Sequence, residues 1–420
     1  METTPRAARP AAGPYWERAI LLVDMNAFFA AIEQLDHPEY RGRAVAITNG
    51  LRGTCVITCS YEARSYGIRT GTRLPEARAR CPELVRLPAR PHRYAEVSSR
   101  IMAALAEQVT PDIEIYSVDE AFLDVTRCQR LLGPPEAIAR RVKQVVFAAS
   151  GGLLCSVGGS GDLTTAKYAA KRQKPDGLTL IPPWEAAATL REVPVTELCG
   201  IARGIGAFLA RHGVHTCGDM ARLPISVLGR RFGNPGRRIW YMCQGADPTQ
   251  LVREVPAPQS IGHGKVLPPA TRSRELLLTW LLHMSEKVGA RLRRHGLEAS
   301  RFFVGLRADL GWLGGKPRLA APSADGQAIF ALCRRVLDAH WGGEGVHQVQ
   351  VTALDPRPAS QQLALFDAPA VAREAVNAAV DRVNDRFGSL VLAPARLLGR
   401  SDMPDVIAPA WKPTGHRRTV

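Results

Sequence analysis

The sequence has no apolar run long enough to span a bilayer. A membrane helix needs about 20 consecutive apolar residues, and the 420-residue chain contains no such run. The first 18 residues lack the apolar core of a secretory signal peptide. Residues 1–17, rich in Ala, Pro and Arg, predict a flexible leader. We therefore expect a cytoplasmic protein with no membrane partner.

Closely spaced cysteine pairs are also absent. The nine cysteines are odd in number, scattered along the chain and never spaced as Cys-x-x-Cys. This pattern disfavours a disulfide framework and a zinc site. It favours buried thiols in a reducing compartment.

Acidic residues are scarce relative to basic ones. Lys and Arg number 55 against 39 Asp and Glu, which gives a net charge of +16 and a pI near 9.9. Because neutralised phosphates release their counterions, this excess favours a polyanionic partner. Nucleic acid is the first candidate and an anionic membrane surface the second. The length predicts roughly two to four domains.

Two of the acids are adjacent in the stretch YSVDEAFLDV, residues 116–125. Asp119 and Glu120 lie there between two apolar runs with the length and composition of strands, which predicts a hairpin with the pair at its tip. Neighbouring side chains of a strand face opposite ways, so the two carboxylates can share a ligand only at a strand end or a tight turn. For such a pair alone, a solvated acidic turn is the alternative.

A third carboxylate, Asp24, follows the continuous apolar run Ile20 to Val23. That run predicts a strand covered on both faces, and helix-forming residues follow it at once. The carboxyl end of a strand before a helix is a common place for catalytic groups. An N-cap role for Asp24 is the alternative.

The order of the predicted elements brings the three acids together. Strand, helix, hairpin, helix and strand form a split βαβ pattern, in which the end of the first strand lies beside the hairpin tip. Clustered carboxylates repel each other unless cations neutralise them, and their hard oxygens select Mg²⁺. Two such ions are the usual clamp for displacement at phosphorus. The predicted elements span residues 20–23, 93–109, 113–125, 134–149 and 153–157, with residues 28–91 inserted.

Four segments in register resemble Y-family DNA polymerases. They are VDMNAFFAAIE (23–33), YEARSYGIRTG (61–71), YSVDEAFLDV (116–125) and AKYAAKRQKPDG (166–177). Their order and spacing are similar to those of the DNA polymerase IV (DinB-type) group over residues 18–356. The resemblance implies an α+β right-hand polymerase with a ferredoxin-like palm, small fingers, a helical thumb and an α/β little finger. The implied boundaries are palm 18–27 and 92–181, fingers 28–91, thumb 182–253, linker 254–259, little finger 260–356 and tail 357–420.

The implied activity is low-fidelity, template-directed translesion synthesis by a monomer. Primer-template DNA and dNTP are the implied substrates, with two Mg²⁺ ions for which Mn²⁺ can substitute, in the bacterial nucleoid. The resemblance assigns Asp24, Asp119, Glu120 and the backbone carbonyl of Met25 to the metals. The family often has a second acid where this chain has Asn26, which we expect to matter little.

The resemblance also implies contacts to the incoming nucleotide. Phe29 matches the steric gate, an aromatic ring that excludes a ribose 2′-hydroxyl, and core packing is the alternative. Tyr61, Arg64 and Lys174 match contacts to the triphosphate, for which the forked guanidinium of Arg is well suited. A lysine that is usual in the family is replaced by Leu163.

After residue 182 the sequence predicts short helices. Residues Gly200, Ile201, Ala202 and Arg203 resemble a thumb helix-hairpin-helix whose backbone amides bind a DNA phosphate. The proline and second glycine expected in that hairpin are Cys199 and Ala202 here. The little finger is expected to contain an initial strand, helices 275–294 and 327–339, and strands 302–308 and 346–354.

The tail carries a short motif, residues 362–366, that resembles a peptide binding the bacterial sliding clamp. Leu365 and Phe366 would enter an apolar pocket, with Gln362 as a hydrogen-bonding anchor and Leu363 beside it. A helix is expected over 370–387, and residues 401–420 are expected to be disordered.

Two other functions remain as alternatives to the polymerase. A catalytically inactive adaptor could bind DNA and the clamp, but it would have no need of three clustered acids that destabilise the fold unless neutralised. A nucleotide cyclase with a similar palm is disfavoured by the basic charge and the thumb-like hairpin.

Overall fold

The computed structural model describes residues 15–51, 53–360, 368–398, 406–408 and 410–418. The chain divides into two units. One comprises the residues up to Val255 together with the C-terminal segment from Pro404, and the other comprises Pro256–Met403. The break after Val255 falls within the segment 254–259 that the sequence predicts to be a linker.

The first unit alternates strands and helices before ending in helices alone. In chain order its elements are β1 Ile20–Met25, α1 Phe28–Asp36, β2 Val45–Thr48, β3 Val56–Cys59, α2 Tyr61–Ser65, α3 Leu74–Arg80, β4 Val85–Pro88, α4 Pro91–Gln108, β5 Ile113–Ile115, β6 Glu120–Asp124, α5 Gln129–Leu132, α6 Pro135–Ser150, β7 Cys155–Ser160, α7 Leu163–Lys171, β8 Leu178–Leu180, α8 Ala186–Leu190, α9 Arg203–Arg211, α10 Ile225–Phe232 and α11 Asn234–Met242.

A five-stranded sheet in the order β5-β6-β1-β7-β8 forms the palm. Strand β1 is antiparallel to both β6 and β7, so strands β5, β6, β1 and β7 have the predicted ferredoxin-like arrangement. Strand β8, which the sequence analysis did not predict, pairs parallel with β7.

The central strand β1 is buried along its whole length because the palm sheet is covered on both faces. Leu21 and Val23 pack into the core that contains residues of α4 and α6. Ile20 and Leu22 pack on the other face against residues of α7. This explains why β1 is a continuous apolar run rather than an alternating one.

Helix α7 packs directly on the backbone of β7. A Cβ atom added to Gly158 would lie 2.1 Å from the amide nitrogen of Ala170, so only glycine allows this approach. Asp162 caps the helix by accepting a 2.9 Å hydrogen bond from the Thr165 amide. Leu163, which replaces the usual lysine, is 5% exposed in the core beneath the sheet.

The predicted fingers segment contains a three-stranded sheet in the order β3-β2-β4. Strand β2 pairs antiparallel with β3 and parallel with β4. A small core that includes Ala46, Val56, Ala63 and Ala77 joins the sheet to α2 and α3. Helices α8 to α11 have a separate apolar core in the predicted thumb, from Leu190 to Cys243.

The second unit is a sheet backed by helices. Its elements are β9 Ile261–Thr271, α12 Arg274–Arg294, β10 Leu297–Ala308, β11 Gly311–Gly315, β12 Arg318–Ser323, α13 Gly326–His340, β13 Val346–Ala353, β14 Arg357–Pro358 and α14 Ala368–Phe387. The sheet order is β11-β10-β13-β9, with β12 and β14 also paired to β10. The sequence analysis missed β11, β12 and β14.

The described residues near the C-terminus include the helix that the sequence predicts and a folded segment that it does not. Helix α14 is attached to α12 by a bidentate ion pair in which Arg293 donates two 2.7 Å hydrogen bonds to Asp381. The expectation of disorder over 401–420 is wrong for the part that the structure describes, because Trp411 is 2% exposed within the palm core. No helix in the described ranges is long and apolar enough to cross a membrane.

Candidate active site

The carboxyl end of β1 lies beside the start of β6. Asp24 and Glu120 are partners in the antiparallel register, and the Met25 amide donates a 2.9 Å hydrogen bond to the Asp119 carbonyl. Side chains of directly opposed residues project to the same face of a sheet. The hairpin thus brings Glu120 next to Asp24, as its predicted topology requires.

A tight turn brings the Asp119 carboxylate to the same place as that of Glu120. The Ser117 hydroxyl lies 2.7 Å from Oδ1 of Asp119 and 3.4 Å from Oε2 of Glu120. The turn is anchored from α4, where the buried Ser98 hydroxyl donates a 2.6 Å hydrogen bond to the Val118 carbonyl. Asp119 precedes β6, so strand alternation does not separate the pair.

Burial and the negative charge of neighbouring carboxylates raise the pKa of Asp24 and of Asp119. Burial raises the pKa of Asp24 to about 7. The ammonium of Lys174 opposes this rise, and the negative charges of Glu120 and Asp119 add to it. Burial also raises the pKa of Asp119, with a further contribution from Glu120. Such shifts are typical of functional sites.

Two lysines neutralise part of this charge. Nζ of Lys174 lies 2.5 Å from Oδ2 of Asp24, and Nζ of Lys167 lies 2.8 Å from both carboxylate oxygens of Glu120. Burial acts to lower the pKa of Lys167, but Glu120 more than offsets it, and the net direction is upward. Lys167 also lies 4.1 Å from the centre of the Tyr116 ring. Lys167 was not among the predicted site residues, although its place in the fourth motif was a usable signal.

The three carboxylates offer hard oxygen donors of the kind that divalent cations bind. Within the described ranges, no three His, Cys, Asp or Glu side chains are already arranged as a metal site, and the lysines contact oxygens of Asp24 and Glu120. The negative charge of Glu120 helps to raise the pKa of both Asp24 and Asp119, so the cluster favours bound positive charge, and carboxylate oxygens are ligands that Mg²⁺ accepts. Met25, the fourth predicted ligand, ends β1 beside Asp24.

Phe29 lies at the start of α1, next to the end of β1. Its ring stacks on Tyr94 with centroids 4.2 Å apart and 10° between the planes. The Tyr94 hydroxyl donates a 2.6 Å hydrogen bond to Glu33 on the same helix. Phe29 is half-buried while Phe28 is 3% exposed in the core. The Phe29 ring is therefore held rigidly but not enclosed.

Tyr61 and Arg64 lie on α2 in the fingers sheet region. The Arg64 guanidinium carbon lies 4.6 Å from the centre of the Tyr61 ring, so the two side chains lie on the same side of the helix. In the part of the chain that the structure describes, the buried Tyr61 hydroxyl has no hydrogen-bond partner. A buried polar group without a partner is costly, so this atom is suited to a ligand.

Asn26 has a positional role that the sequence analysis did not predict. Its side-chain amide donates a 3.0 Å hydrogen bond to the Ser156 hydroxyl, and its Oδ1 accepts a 2.7 Å hydrogen bond from the Asp176 amide. These bonds attach the loop after α7 to β7. That loop carries Lys174, so Asn26 is one of the residues that position the segment from which the Lys174 side chain reaches Asp24.

The predicted thumb hairpin precedes α9. Gly200 has φ of +88°, a conformation that favours glycine, and Ile201 is 3% exposed and anchors the loop in the thumb core. Ala202 is extended and does not cap α9 through its side chain. The first-turn amides that follow, including that of Arg203, are therefore free of a side-chain cap.

Arg238 on α11 has a structural role. Arg238 donates 3.0 and 2.9 Å hydrogen bonds to Asp247, whose side chain is 0% exposed. Asp247 also accepts a 2.7 Å hydrogen bond from Thr164 on α7. This network connects α11 to α7 of the palm, so the Arg238 guanidinium is used to stabilise the fold. The clamp-motif residues Gln362, Leu363, Leu365 and Phe366 lie outside the described ranges.

Comparisons with known proteins match both units. The impB/mucB/samB family model matches residues 23–171, and the model of that family's C-terminal domain matches residues 258–365. A DNA polymerase IV from Moorella thermoacetica is 36% identical over 89% of this chain and 94% of its own length. A DNA polymerase IV from Desulfatibacillum aliphaticivorans is 33% identical over 91% of this chain and 97% of its own.

A solved structure shares the fold. A Y-family DNA polymerase chimera of Dbh and Dpo4 superposes with a TM-score of 0.69 at 25% identity, covering 81% of this chain and 99% of its own. The order of the motifs, the palm topology and these relatives all indicate the same family. The chain belongs to the DNA polymerase IV group of the Y family and is a DNA-directed DNA polymerase of the translesion type.

Proposed function

We propose that Asp24, Asp119 and Glu120 carry the nucleotidyl transfer of this polymerase by binding two Mg²⁺ ions. The observation that carries the proposal is the approach of both hairpin carboxylates to one Ser117 hydroxyl, with Asp24 opposite Glu120 in register. When bound, such ions lower the pKa of the attacking hydroxyl and stabilise charge on the leaving oxygen. We assign Met25 the backbone ligand, and Mn²⁺ can replace Mg²⁺.

Lys174 and Lys167 pair with Asp24 and Glu120, two of the acids that would hold the cations. With the oxygens of Asp24 occupied by a bound cation, the Lys174 ammonium would be free to contact the triphosphate of the incoming dNTP. Asn26, by fixing the loop that carries Lys174, limits how far that ammonium moves.

Tyr61 and Arg64 are the other groups that we assign to the triphosphate. The Tyr61 hydroxyl lacks a partner within the described ranges, and the Arg64 guanidinium beside its ring offers forked donors to phosphate oxygens. Phe29 excludes a ribose 2′-hydroxyl by collision, and its stack on Tyr94 prevents the ring from yielding. The chain's own residues thus position the dNTP and select its sugar.

The predicted thumb contributes to DNA binding without base contacts. The amides of residues 200–203 and the start of α9 are suited to one backbone phosphate of the primer-template. Residues 362–366 are proposed to bind the bacterial sliding clamp, as their sequence predicts. We place the protein in the bacterial cytoplasm, on the nucleoid, as a monomer.

Primer extension on a templated hairpin tests the site. We expect extension with Mg²⁺ or Mn²⁺, none with EDTA, and none by Asp24→Ala although this variant still binds the hairpin. Failure of the wild-type chain to extend while it binds DNA would favour the inactive adaptor. Retained extension by Asp24→Ala would disprove the assignment of the carboxylates.

A further inference from the structure

Helices α12 and α13 run antiparallel on one face of the sheet of the second unit. Toward one end of the pair, Nη2 of Arg274 on α12 lies 2.6 Å from Oδ1 of Asp338 on α13. Toward the other end, Gln327 of α13 donates a 2.6 Å hydrogen bond to Glu286 of α12. Two helices packed side by side on a sheet leave a groove between them on the side that faces away from the sheet.

The chain that follows the sheet approaches this groove at both ends. At one end Nε of Arg373 on α14 lies 3.3 Å from Oδ2 of Asp325, the residue that caps α13. At the other end the short segment Ala395–Leu397 lies beside α12, where Nη1 of Arg396 lies 2.5 Å from Oε2 of Glu275. A cavity of about 430 Å³ stays open between α12, α13 and this segment, a volume typical of ligand sites.

The floor of this cavity is apolar. Leu278 of α12 is 3% exposed and belongs to the core of the second unit. Phe330 of α13 is half-buried and packs against the same core. Both side chains line the cavity. A ligand can therefore remove an apolar group from water by placing it on these two side chains.

The rim of the cavity is cationic. It carries four arginines, which are Arg274, Arg334, Arg335 and Arg396, and we call the site the arginine-rimmed cavity. The two acids at the rim, Glu275 and Asp338, each pair with one of the arginines. Four guanidinium groups against two carboxylates leave two positive charges. Arg334 and Arg335 are exposed, and among the described residues no carboxylate forms an ion pair with either of them.

Arg334 places a cationic group directly beside the apolar floor. Its guanidinium carbon lies 5.9 Å from the centre of the Phe330 ring, one turn earlier on α13. A guanidinium that rests near an aromatic ring keeps its N–H donors available for a forked contact with a carboxylate. Negative charge and an apolar group can thus be bound next to each other.

We propose that the arginine-rimmed cavity binds an acidic segment of a partner protein. An apolar side chain of that segment packs on Leu278 and Phe330. Its flanking carboxylates accept hydrogen bonds from Arg334 and Arg335, because guanidinium groups bind carboxylates through two parallel hydrogen bonds. The apolar floor favours a peptide over a nucleic-acid backbone, which has no apolar side chain to bury. None of these residues is assigned to the metals, the nucleotide or the DNA, so primer extension should not need them.

Fluorescence anisotropy with the full chain tests the proposal. The probe is a short fluorescein-labelled peptide in which aspartates flank a single phenylalanine. We expect the wild-type chain to bind this peptide. The double variant Arg334→Gln/Arg335→Gln should bind it about 5- to 30-fold more weakly, which is the effect of losing two partly exposed ion pairs. No binding of the peptide by a wild-type chain that extends primers would overturn the proposal and leave the polymerase site unaffected.

A double variant of α14 is the matched control. Arg382 and Arg386 are exposed, lie outside the cavity and form no ion pair with a carboxylate among the described residues. Arg386 also lies beside an aromatic ring, with its guanidinium carbon 5.1 Å from the centre of the Phe387 ring. Arg382→Gln/Arg386→Gln therefore removes the same charge and should bind the peptide as the wild type does. An equal loss in both double variants would mean that net charge alone attracts the peptide, which overturns the site.

Two altered peptides separate the apolar contact from the charged one. Replacing the phenylalanine of the probe by alanine should weaken binding about tenfold, because less apolar surface is buried. Replacing its aspartates by asparagines should weaken binding and remove most of its dependence on salt. If the wild-type chain binds either altered peptide as tightly as the original, the corresponding half of the cavity is not used and the proposal is wrong.

The double variant Arg334→Gln/Arg335→Gln also distinguishes other occupants of the cavity. We expect it to extend primers and to bind a blunt duplex hairpin as the wild type does. A loss of hairpin affinity as large as the loss of peptide affinity would assign the cavity to nucleic acid. Self-association of the wild-type chain in sedimentation experiments that the variant lacks, without peptide binding, would assign it to a second copy of the chain. Either result overturns the proposal.

Discussion

Asp24 and Glu120 face each other across β1 and β6, yet each carboxylate is neutralised by a different lysine, Lys174 for Asp24 and Lys167 for Glu120. The two lysines come from different parts of the motif that follows β7. Both carboxylates are thus paired with positive charge that the protein itself supplies.

Loss of a hairpin carboxylate should abolish extension. We expect Asp119→Ala to lower the extension rate by more than about 100-fold with Mg²⁺, since even indirect partners of a metal contribute roughly 10- to 100-fold. Single-turnover extension measures this. Glu114→Gln on the neighbouring strand β5 is the control and should extend normally. Extension by Asp119→Ala near the wild-type rate would remove Asp119 from the site.

Sugar selection should depend on the Phe29 ring. Phe29→Ala removes the surface that would collide with a 2′-hydroxyl, and we expect a large rise in ribonucleotide incorporation relative to dNTP. Tyr94→Phe keeps the ring on which Phe29 stacks but loses the hydrogen bond to Glu33. That variant should be less stable but equally selective. If Phe29→Ala selects between the two sugars as the wild type does, the role of Phe29 is core packing and not sugar selection.

Asn26 should affect nucleotide binding more than the chemical step. Asn26→Ala loses two hydrogen bonds that position the loop carrying Lys174, each contributing about 0.5–1.5 kcal/mol. We expect the KM for dNTP to rise by about tenfold with a smaller change in kcat. Asn26→Asp keeps the acceptor for the Asp176 amide and should rescue most of the loss. A kcat effect with an unchanged KM would contradict this role.

Metal should stabilise the chain more at higher pH. The pKa of Asp24 is raised from 3.8 to about 7, so between these values the folded chain binds more protons than the unfolded chain. This carboxyl therefore destabilises the metal-free fold as pH rises through that window. A cation requires the ionised form, and Mg²⁺ should raise Tm more near pH 8 than near pH 6. Scanning fluorimetry with Mg²⁺ or EDTA measures this, and Asp24→Asn should lose the difference.

The C-terminal segment should contribute to the stability of the first unit. Trp411 is 2% exposed among palm residues, and Trp411→Ala should lower the free energy of unfolding by about 3–5 kcal/mol. Urea unfolding of the full chain measures the loss. Leu398→Ala is the control, because Leu398 is 75% exposed. Equal stability of both variants would mean that the segment does not support the palm.

Periodicity and apolar runs predicted the palm well, since β1, β6 and α6 follow local rules that need no distant partner. They did not predict β11, β12 or β14, which are stabilised mainly by pairing with β10. The burial of Trp411 was missed for a similar reason. No local sequence pattern marks a single tryptophan in a proline-containing segment as buried. Trp411 is buried only because it packs against residues of the palm core.

The sequence by itself determined the family, the polymerase activity and the candidate acids Asp24, Asp119 and Glu120, because motif order and charge are properties of the chain. Only the tertiary structure decided that Ser117 draws both hairpin carboxylates to one side, that Lys167 and Lys174 neutralise the site, and that Asn26 anchors the loop. These are contacts between residues distant in the chain or across a turn. Their geometry depends on packing, which no local pattern records.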